Sequence, residues 1–70
     1  MAKVYFHVFA RNARGLDGAK PWAWFHEASR DTRVDANDDC EGLRRDGYRV
    51  KVIRSAADPM ALLATLNAGA

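Results

Sequence analysis

The chain has 70 residues, a formal net charge of +2 and one cysteine, Cys40. A chain this short makes one domain and buries only about 60% of the surface it exposes when unfolded. An internal disulfide is excluded, no Cys/His cluster has zinc spacing, and no run approaches the ~18 apolar residues of a membrane span. Small domains usually add a disulfide, a metal or a partner chain. Self-association as a homodimer is therefore expected, and a single unpaired cysteine fits a cytoplasmic setting. The apolar N-terminal stretch alternates and contains His7, which is unlike a signal peptide.

Lys3 to Ala10 is rich in Val, Phe and Tyr and predicts a first strand. Two-residue alternation puts Val4, Phe6 and Val8 on one face and Lys3, Tyr5, His7 and Phe9 on the other. The second face is amphipathic, so something is expected to cover part of it. Residues 11–20 hold Asn12, Gly15, Asp17 and Gly18 and predict a loop, long for a hairpin. Arg11, Arg14 and Lys20 make this loop a candidate contact element. Residues 21–28 predict a second strand, with Pro21 at its start. Trp22, Trp24 and His26 share one face and Ala23 and Phe25 the other; alternation does not say which is core.

Ser29 to Val34 predicts a polar turn, followed by a helix capped by Thr32 or Asp35. Acids crowd its first turn, and Ala36, Cys40 and Leu43 form a narrow apolar stripe. Gly47 is the expected stop. Tyr48 to Arg54 predicts a third strand. Asp58 and Pro59 then open a second helix, whose apolar side is Met60, Leu62, Leu63 and Leu66, ending at Gly69. The order β-β-α-β-α predicts an α+β domain, a three-stranded, mostly antiparallel sheet with two helices on one face.

Charge is segregated along the chain. Residues 31–46 carry Asp31, Asp35, Asp38, Asp39, Glu41 and Asp46, six of the nine acids, whereas residues 48–57 carry Arg49, Lys51 and Arg54 and no acid. An acidic helix and basic strands are expected. Two binding readings follow. In the first, the domain binds a host protein or protein complex through Arg11, Arg14, Lys20, Asp35, Asp38, Asp39 and Glu41, an acidic patch being able to steer a basic partner. In the second, an open sheet face with Tyr5, His7, Trp22, Trp24, Arg49 and Lys51 binds single-stranded nucleic acid. Bases would stack on the rings and cations would neutralise phosphates.

Catalysis is not expected. No phosphate-binding loop, dinucleotide fingerprint, nucleophile elbow or metalloprotease motif occurs, and no cofactor is implied. His7 and His26 can approach each other across the first hairpin, but with Glu27 or Cys40 they make a weak metal set. Cys40 lacks a nearby base and reads as a small buried apolar residue. Asp35, Asp38, Asp39 and Glu41 lack the glycine and final glutamate of a calcium-binding helix–loop–helix. In size and clustered charge the chain is similar to small accessory proteins of phages and plasmids, anti-CRISPR inhibitors among them. That likeness implies a module that occupies a binding surface of a host complex.

Overall fold

The computed structural model describes residues 3–12 and 23–68. Five elements run in chain order: β1 (Tyr5–Asn12), β2 (Trp24–Arg30), α1 (Arg33–Arg45), β3 (Tyr48–Ser55) and α2 (Pro59–Ala68). The strands form one antiparallel sheet in the order β2-β1-β3. This is the small α+β domain that the sequence predicts. Several boundaries differ: β1 starts at Tyr5 and runs on through Arg11 and Asn12, so Arg11 belongs to a strand and not to the loop, β3 runs on to Ser55, β2 runs on to Arg30, and α1 begins at Arg33, so Ser29 belongs to a strand and not to a turn. Arg14, Lys20, Pro21, Trp22 and Gly69 lie outside the described residues.

Both ends of α1 and the start of α2 have a local cause. Thr32 adopts an extended conformation (φ −124°, ψ 152°), and its Oγ1 accepts the Asp35 N–H at 3.2 Å. Gly47 takes a left-handed conformation (φ 95°) and its N–H donates to the Arg44 carbonyl at 3.0 Å, which closes α1 and turns the chain into β3. Asp58 caps α2 by accepting the Met60 N–H at 3.0 Å.

β1 is buried along its middle. His7, Val8, Phe9 and Ala10 are all buried, so both sheet faces are closed at the centre. On the face that α1 covers, Val8 packs with Ala36 and Cys40, and Phe6, Leu43, Val50 and Val52 surround them. This is the apolar stripe read from the sequence. Burial pushes the Cys40 thiol up, which favours its protonated form. The Arg30 guanidinium grips Asp39 through Nε–Oδ2 at 2.6 Å and Nη2–Oδ1 at 3.1 Å, tying α1 to β2.

α2 packs against β2. Asn67 binds the backbone of Trp24 on both sides: its Oδ1 accepts the Trp24 N–H at 2.7 Å and its Nδ2 donates to the Trp24 carbonyl at 3.1 Å. One amide side chain thus stands in for a neighbouring strand. Leu62, Leu63 and Leu66 are half-buried as expected, but Met60 is 57% exposed and is not part of the apolar side.

The two described glycines give opposite expectations. Gly47→Ala places a side chain in a left-handed conformation and is expected to destabilise the domain by about 1–2 kcal/mol. Gly42 lies within α1 with nothing within 4 Å of an added Cβ. Gly42→Ala is expected to stabilise by about 0.5–1 kcal/mol. Urea denaturation of the two variants checks both signs.

Candidate functional site

Two regions bring the candidate residues together: the sheet face around His7 and the charged outer surface of α1 and β3. The first depends on an irregularity in β2. Val8 pairs with Ala28 and Phe9 pairs with His26, so Glu27 is left without a partner and forms a bulge. The bulge resets the alternation. Trp24, His26 and Ser29 therefore face the same way as Phe9 and His7, although His26 and Ser29 are three residues apart.

The result is a chain of hydrogen bonds. The Ser55 carbonyl can only accept, so His7 donates to it through Nε2–H, at 3.1 Å. In the neutral ring Nδ1 is then bare and accepts the Ser29 hydroxyl at 2.6 Å. Ser29 Oγ in turn accepts from His26 Nε2–H at 2.9 Å. The rings of His7 and His26 lie 6.2 Å apart edge to face, and Phe9 lies 5.6 Å from His26. A serine hydroxyl donating to an oriented imidazole has the parts of a nucleophile–base pair. Here the hydroxyl is a bridge, donating to one ring and accepting from the other.

This cluster changes the reading of the aromatic face. His7, which the nucleic-acid reading places on an open face, is instead buried at 2% exposure, with its ring hydrogen-bonded to Ser29 and Ser55. Tyr5 and Trp24 are half-buried and already carry cations of this chain: Lys3 Nζ lies 5.1 Å from the Tyr5 ring, and Arg11 Cζ lies 5.3 Å from the Trp24 ring. Lys3 also pairs with Asp31 at 2.9 Å. Arg49 and Lys51 are exposed on the same face at the sheet's edge. Trp22 lies outside the described residues. Among the described residues no group of three His, Cys, Asp or Glu side chains could hold a metal ion. His7 and His26 do meet as expected, but Cys40 packs on the opposite face with Val8.

The acidic candidates separate into two roles. Asp35, Asp38 and Glu41 are exposed on α1. Asp39 is half-buried and committed to Arg30, so it holds the fold rather than presenting charge. Asp38 and Glu41 lie on the side of the helix away from Ala36 and Cys40, in a stripe that begins at Val34, 69% exposed. Of the basic candidates, Arg11 is half-buried beside Trp24, and Arg14 and Lys20 lie outside the described residues. The sequence reading missed Ser29, Ser55 and Asn67, which carry the polar contacts of the sheet. Nothing in the strand alternation announces a bulge.

Compared with known proteins, the chain matches no family model, no curated protein and no solved structure. Among the described residues no helix is long and apolar enough to cross a membrane.

Ser29→Ala leaves His7 Nδ1 buried without its donor. The expected cost is about 1–3 kcal/mol, read from urea denaturation. A loss below about 0.5 kcal/mol would mean that water replaces the hydroxyl and that the cluster is open.

Proposed function

We propose that this domain is a non-catalytic protein-binding module that docks a basic partner surface on the outer face of α1. The observation that carries this reading is the stripe Val34, Asp38 and Glu41, exposed and turned away from the core. No ion pair among the described residues engages Asp38 or Glu41. An exposed apolar side chain amid charge of one sign supplies both contact area and steering. Occupying a binding surface of a host complex is the form of binding that this layout suits, as in the phage and plasmid accessory proteins it is similar to in size and charge.

Binding of single-stranded nucleic acid ranks lower. Stacking requires open ring faces, and the middle of the sheet face is filled by Phe9 and by a hydrogen-bonded His7. The acids of α1 would also repel phosphate.

The paired variant Asp38→Lys/Glu41→Lys tests the proposal. Tagged, nuclease-treated protein is expected to retain a specific protein from its own source cells. The charge-reversed variant is expected to lose it with an unchanged circular dichroism spectrum. A salt-sensitive, saturable quenching of tryptophan fluorescence by single-stranded RNA, insensitive to that variant, would support the nucleic-acid reading instead.

A further inference from the structure

We infer that the outer edge of β3 accepts an extended peptide as a fourth strand, and that the preferred peptide alternates acidic with apolar residues. The inference rests on the protein-binding reading and adds a second contact to it. β3 has eight residues and no proline, and it is an edge strand. No backbone hydrogen bond from outside the sheet reaches it among the described residues. Such an edge is a template for strand addition.

The pairing register fixes which groups point outward. Trp24 gives both its N–H and its carbonyl to Asn67, so these groups point away from β1. Trp24 faces Arg11 across the first pair of strands, and Arg11 faces Arg49 across the second. Antiparallel hydrogen bonding alternates along a strand. Arg11 therefore directs its backbone groups to Arg49, as Phe9 does to Lys51 and His7 to Ile53. That leaves the N–H and carbonyl groups of Val50, Val52 and Arg54 facing outward.

Side chains set the chemistry of the added strand. On one face it would lie beside Arg49 and Lys51, which are exposed and, among the described residues, unpaired. Carboxylates suit those positions. On the other face it would lie beside Val50 and Val52, half-buried next to Leu43 at the margin of the core. Aliphatic side chains suit those. Arg54, exposed on that second face, favours one more acid at its end. The same charges disfavour a second copy of this chain, because edge-to-edge pairing would gather Arg49, Lys51 and Arg54 of both copies with no acid between them.

The test titrates the full chain with a synthetic eight-residue peptide alternating Glu and Val, and follows backbone amides by hydrogen exchange and NMR. The expected result is saturable binding with new protection at the amides of Val50, Val52 and Arg54. Arg49→Glu/Lys51→Glu is expected to weaken it about tenfold. Arg54→Pro removes an outward N–H and is expected to abolish the protection, and Arg54→Gln to retain most of it. The exchange pattern of the unmodified chain is decisive even if a variant fails to fold. Equal binding of a scrambled peptide of the same composition, or binding without protection at those amides, would overturn the inference. So would protection that needs no peptide and rises with protein concentration, or protection by a single-stranded oligonucleotide alone. If partner capture depends on Asp38 and Glu41 while the peptide fails at β3, the protein-binding reading stands and this inference falls.

Discussion

A polar ring in a strand buried on both sides must make its hydrogen bonds inside the protein, and in this chain that demand falls on His7. An imidazole placed there without partners would cost about 1–3 kcal/mol, a large share of what a 70-residue domain has. The Ser55 carbonyl and the Ser29 hydroxyl meet the demand from the two neighbouring strands. One histidine thus ties β2, β1 and β3 together, reaching Ser29 directly across β2 and Ser55 two residues along β3 from its own pairing partner Ile53. The bulge at Glu27 is the backbone feature that makes this possible, because it turns Ser29 to the face of His7.

The closed centre redistributes function to the periphery. Phe9, His7 and His26 pack as one ring cluster, and the remaining aromatics of that face are covered in part by Lys3 and Arg11. The exposed charge lies at the periphery: acids beside the exposed Val34 on the outside of α1, and bases along the open edge of β3. The two edges of the sheet differ for a local reason. The edge of β2 is capped at Trp24 by Asn67, whereas no backbone hydrogen bond from outside the sheet reaches β3 among the described residues.

Much of the fold was legible in the sequence because short-range chemistry decides it. Thr32, Gly47, Asp58 and Pro59 mark helix ends by mechanisms that act within a few residues. The alternation of β1 and the Ala36, Cys40, Leu43 stripe mark which sides meet. The candidate site was less legible because its parts depend on register. Ser29 reads as a turn residue until the bulge aligns it with His7. Asp39 reads as one acid among several until it is found on Arg30, and Asn67 reads as a helix-end residue until it is found on Trp24. Alternation puts His7 on the same face as Tyr5 and Phe9, but it cannot say whether that face is covered.

The tautomer of His7 tests the closed-face account most directly. Nitrogen-15 NMR of the imidazole reports which ring nitrogen carries the proton. The account requires a single tautomer with the proton on Nε2, and cross-hydrogen-bond couplings or shifts consistent with a bare Nδ1 that accepts from Ser29. A ring that averages between both tautomers, as a solvated histidine does, would contradict it. The sheet face would then be open, and the argument from a filled face against nucleic-acid stacking would fall.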